Sequence, residues 1–143
     1  MTVARILASK GRDVATTQTD RTLAEVAAVL SQKKIGAVVV TDTNGSVLGI
    51  LSERDIVRAV AKMGSTCLTD TVANHMTSKV VTTGEEQTVQ QTMEKMSQGR
   101  FRHLPVIKDG RLVGLVSIGD VVQNRLKEME KESQALREYI TGA

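Results

Sequence analysis

Aromatic residues are nearly missing from this 143-residue chain, which has one Phe, one Tyr and no Trp. No platform for stacking bases can be built, and the core has to come from Val, Leu, Ile, Met and Ala. A single cysteine, Cys67, rules out an internal disulfide and a cysteine-rich metal site, and fits a reducing cytoplasm. The two histidines, His75 and His103, have no Cys or second His at ligand spacing, so a zinc or iron site is not expected. Neither Gly-x-x-x-x-Gly-Lys-Ser/Thr nor Gly-x-Gly-x-x-Gly occurs. The opening MTVARILASKGRD lacks the apolar run of a secretion signal, and no stretch approaches the ~20 apolar residues of a membrane span. A cytoplasmic protein without a membrane partner is the expectation. The net charge of +3 comes from positives interleaved with acids, so no nucleic-acid partner is expected. Cys67 lies in a Gly-Ser-Thr linker with no base nearby in sequence, and reads as an inert or mildly exposed thiol. No pair of acids is singled out for acid–base work. The chain is therefore read as having no catalytic residue. A nucleotide-processing enzyme and a weak nucleic-acid-binding protein are the alternatives.

What is present is an internal repeat. Thr2-Val3-Ala4 recurs as Thr71-Val72-Ala73, and Ser9-Lys10 as Ser78-Lys79, 69 residues on. After three extra residues in the first copy, Val14-Ala15-Thr16-Thr17 answers Val80-Val81-Thr82-Thr83, Thr22 answers Thr88, and Ser31-Gln32 answers Ser97-Gln98. Past a one-residue difference in a turn, Gly45, Gly49, Ser52 and Asp55 match Gly110, Gly114, Ser117 and Asp120, now 65 residues apart.

Each copy reads as the same series. A short amphipathic segment (Val3, Ile6, Leu7; Val72, Met76) precedes a brief Val/Thr strand and then a helix. Thr22 is placed to cap a helix whose stripe is Leu23, Val26, Ala27 and Leu30, and Thr88 caps one with Val89, Thr92, Met93 and Met96. Strands follow at Ala37 to Thr41 and Leu104 to Ile107, joined through Asn44-Gly45 and Asp109-Gly110 to strands at Val47 to Leu51 and Leu112 to Val116. A last helix starts near Ser52 and near Ser117. The order β-α-β-β-α, twice, predicts an α/β protein whose copies each have too few elements to bury both faces of a small sheet, so that the two should pack on each other with pseudo-twofold symmetry.

With Gly49-Ile50-Leu51-Ser52-Glu53-Arg54-Asp55 and Gly114-Leu115-Val116-Ser117-Ile118-Gly119-Asp120 closing the copies, and Arg102-His103-Leu104-Pro105-Val106 opening the second hairpin, the chain resembles a pair of CBS domains, the Bateman module, from about Val3 to Leu126. It departs from the family in lacking the proline before the first long helix, where Gln18-Thr19-Asp20 and Gly84-Glu85-Glu86 stand, and in Val39 at the position of Pro105. The resemblance implies residues 1–64 as the first repeat, 65–74 as a linker, 75–126 as the second repeat and 127–143 as a helical extension.

The Ser-x-x-Asp pairs have two physical readings. One is a capping box, contributing ~0.5–2 kcal/mol to the helix. In the other, the helix start seats a phosphate, Ser52 or Ser117 adds a donor, and Asp55 or Asp120 accepts both hydroxyls of a ribose. The resemblance favours the second, giving the acid to ribose and the serine to phosphate. It also assigns Arg102 and His103 to phosphate contacts, where an Arg fork suits phosphate oxygens. The first copy has Gly36 and Ala37 there, which leave room for a flat base. If the copies pack with pseudo-twofold symmetry, one cleft combines Thr16, Ile35, Gly36 and Ala37 with Arg102, His103, Ser117 and Asp120, flanked by Leu104 and Pro105. The other combines Thr82, Phe101 and Arg102 with Ser52, Arg54 and Asp55. The first is expected to be the tighter, with Arg54, Arg58 or Lys79 available to a second phosphate.

The resemblance thus implies a stand-alone regulatory sensor with no catalytic cofactor, binding AMP or an NAD(H)-type dinucleotide, with ADP and ATP as further candidates, and signalling to an effector protein. Val122, Leu126, Met129, Leu136 and Ile140 keep a 3–4 spacing interrupted by Ser133. This tail either folds back on its own module or forms a short coiled-coil seam. A homodimer is expected, through the tail or through the shorter helices.

Overall fold

A computed structural model describes residues 1–142. The elements are α1 (Val3–Lys10), β1 (Thr16–Thr17), α2 (Leu23–Lys33), β2 (Ala37–Thr41), β3 (Val47–Ser52) and α3 (Glu53–Met63), two short 3-10 helices (Gly64–Thr69 and Val72–Asn74), then α4 (Val89–Gly99), β4 (His103–Lys108), β5 (Arg111–Ser117) and α5 (Ile118–Thr141). This is an α/β fold of two repeats with a long C-terminal helix. Two compact units result. One holds Met1–Arg12, Thr82–Ile107 and the stretch from Gly114 onward, and the other holds Asp13–Val81 and Lys108–Val113.

The leading segment of each copy is therefore exchanged. Helix α1 sits with α4 and α5, whereas the Val72–Asn74 turn sits with α2 and α3. Matching hydrogen bonds anchor the two segments. The Val3 amide donates to Gln87 O at 2.9 Å and the Val72 amide to Arg21 O at 2.8 Å. In return, the Val89 amide donates to Met1 O at 3.0 Å and the Leu23 amide to Asp70 O at 3.1 Å.

In the unit built around the first copy, β2 is the central strand of the order β1-β2-β3. Val38, Val39 and Val40 are fully buried, as β-branched residues in a strand covered on both faces should be. Helix α2 starts where Thr22 Oγ1 accepts the Glu25 amide, and Leu23, Val26 and Leu30 point inward onto a core that includes Val38, Val40, Leu51, Ala59 and Val72. Each fully buried Val or Leu contributes ~1.5–3 kcal/mol. Cys67 belongs to this core with 0% exposure, so of the two expectations for its thiol the inert one holds. The linker tightens into the Gly64–Thr69 helix, and this carries Cys67 inward.

The other unit departs from the repeat at one strand. Thr16 and Thr17 pair in parallel with Val39 and Val40, secured by the Val39 amide donating to Ala15 O at 3.1 Å. The second copy keeps only the Thr83–Val106 bridge, so the Val/Thr strand expected at Val80 to Thr83 does not form. The cause is Pro105 in the place of Val39. A proline has no amide hydrogen to give, and the pairing shortens to the bonds on either side, Thr83 N to Pro105 O and Ile107 N to Thr83 O, both 3.0 Å.

Helix α4 carries a full capping box between Thr88 and Gln91 and buries Val89, Thr92 and Met96. Thr92 is accommodated because its hydroxyl donates to Thr88 O at 2.9 Å. The β4–β5 turn uses positive φ at both Asp109 (52°) and Gly110 (76°), as the Asp-Gly pattern predicts. Its counterpart is wider. There only Gly45 (82°) has positive φ, and Asp42 Oδ1 accepts the Asn44 and Ser46 amides at 2.9 Å. Helix α5 stays packed on its own unit as far as Glu128, which the Met1 amino group approaches to 3.7 Å, and every residue from 129 to 142 is exposed, so the tail is not folded back.

Candidate functional site

The two helix starts that follow β3 and β5 are built alike. Ser52 and Ser117 leave their strands with extended backbone, and each hydroxyl accepts the amide of the acid three residues on, at 3.4 Å for Asp55 and 3.1 Å for Asp120. Each acid returns a bond, Oδ2 accepting the serine amide at 2.9 Å. Both capping boxes are thus complete. The first helical amide of each is also engaged, by Gly36 O for Glu53 (2.9 Å) and by Arg102 O for Ile118 (2.7 Å). That leaves Arg54 N–H and Gly119 N–H as the forward-facing donors of the two starts. The seat for an anion is narrower than a bare helix N-terminus.

These backbone bonds decide which predicted residues meet. In one unit, the Arg102 carbonyl accepts the first amide of α5, which brings the Arg102 backbone beside the Ser117 cap, with His103 opening β4 next in the chain. The Arg102 side chain is exposed. In the other, Gly36 takes the equivalent place beside Glu53, and Ala37 pairs with Ser52 across β2–β3, next to Asp55. Leu104 and Pro105 are buried within β4. Phe101 is half-buried and its ring covers Gly99, where a side chain would collide with it. Thr16 and Thr82 are exposed at matching positions, and Arg54 and Lys79 are exposed.

Two pockets lie in the unit around the first copy. One of about 360 Å³ is lined by Thr16, Gln18, Arg21, Glu25, Val29 and Val38, among others. A second of about 470 Å³, between α2 and α3, is lined by Leu30, Lys34, Ile35, Gly36, Ile56 and Val57. Thr16 and the Ile35-Gly36 pair therefore line separate pockets of this unit.

The two acids differ in their surroundings. Lys10 Nζ donates to Asp120 Oδ2 at 2.6 Å and to Leu115 O at 2.9 Å. Burial pushes the Asp120 carboxyl up, but the hydrogen bonds from Lys10 and the Ser117 amide, together with the Lys10 charge, outweigh it and hold the group below the usual carboxylate range. Both of these bonds fall on Oδ2. At Asp55 the equivalent neighbour is Thr77, whose hydroxyl donates to Oδ1 at 3.4 Å, with Arg58 at 3.9 Å. Lys10 was missing from the residues the sequence singled out. The signal lies in the repeat, where Ser9-Lys10 matches Ser78-Lys79, and it is Lys10 that reaches an acid. Among the described residues no group of His, Cys, Asp and Glu is arranged to hold a metal ion, and no helix is long and apolar enough to cross a membrane.

The chain belongs to the CBS domain family, which it matches over residues 5–62 and 72–127, so a tandem CBS pair occupies nearly all of it. It is a CBS-pair regulatory module. A CBS-domain containing protein from Agrobacterium tumefaciens superposes with a TM-score of 0.85 at 50% identity, covering 87% of this chain and 99% of that one. The Arabidopsis thaliana protein named "CBS domain-containing protein CBSX3, mitochondrial" is 34% identical over 99% of this chain and 72% of its own length. The CBS domain pair of protein MJ0100, solved in complex with 5′-methylthioadenosine and S-adenosyl-L-methionine, superposes with a TM-score of 0.80 at 26% identity over 90% of this chain and 98% of that one.

Proposed function

We propose that this protein is a cytoplasmic, non-enzymatic sensor that binds an adenosine derivative. AMP and NAD(H)-type ligands are the leading candidates, with ADP and ATP beside them. The observation that carries this reading is the Asp120 carboxylate, held below the usual carboxylate range at the start of α5, where the Ile118 amide meets the carbonyl of the exposed Arg102. An ionised acid one helical turn from a phosphate-sized anion seat suits a ribose phosphate. The adenosyl ligands of the related MJ0100 pair support the class of ligand. Bound nucleotide favours one arrangement of a homodimer, and a separate effector protein reads the change.

Titration calorimetry and thermal melts with AMP, ADP, ATP, NAD, NADH, S-adenosylmethionine and methylthioadenosine test this, because a ligand in excess over its Kd raises stability. At least one should bind and stabilise. Silence from all seven would sink the proposal. Asp120→Ala should weaken binding by about 10- to 100-fold, the loss of a charged hydrogen-bonding partner, and Asp55→Ala by less. Equal losses would remove the asymmetry.

A further inference from the structure

Helix α5 carries an apolar seam along most of its length. Val122, Leu126, Met129, Ser133, Leu136 and Ile140 recur at steps of four and three, the a and d positions of a heptad, over about 27 Å of helix. The five apolar members are 41%, 55%, 50%, 59% and 71% exposed in chain order. This is apolar surface that a solvent-facing helix has no reason to align.

We infer that this seam is the contact for a second copy of the same chain, laid parallel and in register. The flanking charges decide both the occupant and its direction. In a parallel pair the g residue of one helix faces the e residue of the next heptad on the other, which sets Arg125 against Glu130 and Glu132 against Arg137, each twice by symmetry. All four contacts join opposite charges. In the antiparallel register that overlaps the seam fully, Leu126 meets Leu136 and Met129 meets Ser133, which brings Glu130 against Glu130 and Glu132 against Glu132. The seam is thus self-complementary in one direction only. Ser133 occupies a core layer, where it weakens a seam that is already short, so the pairing is reversible. This inference gives the proposed homodimer its interface and is independent of which nucleotide binds.

Sedimentation of the full chain and of variants at these exposed positions is the test, with thermal melts to establish that each is folded. The wild type should sediment as a dimer. Arg137→Glu should raise the dimer dissociation constant about tenfold, and Glu132→Arg with Arg137→Glu should restore it. Ser133→Cys should give a covalent dimer in a glutathione redox buffer, because only the parallel register places position 133 opposite itself. A trimer mass, no crosslink at 133, or charge reversal without rescue would overturn the seam. If a dimer persists in Leu126→Lys/Leu136→Lys, the seam is wrong while the homodimer stands. Nucleotide titration of the same samples reads the ligand proposal separately.

Discussion

Lys10 Nζ lies 2.6 Å from Asp120 Oδ2, an ion pair between the last turn of the first helix and the first turn of the last. It spans 110 residues of sequence and ties the exchanged leading segment to the acid on which the functional reading rests.

That pair has a pH signature. A carboxyl whose folded pKa is depressed adds stability that is complete above its unfolded pKa, about 3.9, and is lost as the pH falls through the folded value. Lys10→Met removes both the hydrogen bond and the charge that lower it. Urea melts at pH 7 should show a loss of about 0.5–1 kcal/mol, modest because both side chains remain partly exposed, at 36% and 22%. The gap between variant and wild type should narrow below pH 4, and a gap that widens on acidification would contradict the assignment.

At Gly49 and Gly114 the exchanged segments press against strands β3 and β5. A Cβ on Gly114 would stand 2.7 Å from the Leu7 methyls, and one on Gly49 would stand 2.7 Å from Thr77 O and 3.0 Å from Met76 Sδ. Leu7 and Met76 hold equivalent places in the repeat, yet the obstacles differ. Leu7 can turn, whereas Thr77 O is backbone and accepts the Ile50 amide at 3.0 Å. Gly114→Ala should cost about 1 kcal/mol and Gly49→Ala about 2–3 kcal/mol in denaturant melts, and the reverse order would refute this account.

Cys67 should be silent towards thiol reagents. With 0% exposure in the core around Leu23, Val40 and Leu51, its reaction with an aromatic disulfide has to wait for opening of that unit. Labelling should be faster in Gly49→Ala, which destabilises the unit that holds Cys67. Rapid labelling of the native protein would show that the Gly64–Thr69 turn opens on its own.

Much of this was legible along the chain. The caps at Thr22, Ser52, Thr88 and Ser117, the stripes of α2 and α4, and the Asp109-Gly110 turn are local features, and local features carry their own signals in residue spacing. The repeat exposed the two Ser-x-x-Asp starts, and with them the candidate site. Spacing alone left the wider turn after Asp42 and the missing strand before Thr83 unread, because each hinges on one residue, the Asp42 carboxylate that accepts two amides and the Pro105 nitrogen that has no hydrogen to give.

The sequence by itself determined the two copies, their elements and the chemistry each could offer, since periodicity, capping and turn residues act over a few positions at a time. Tertiary structure alone decided that the leading segments change places and that Lys10, not Lys79, meets an acid. It also carried Cys67 inside. Contacts between residues far apart in the chain depend on where whole helices come to rest, and no spacing rule encodes that.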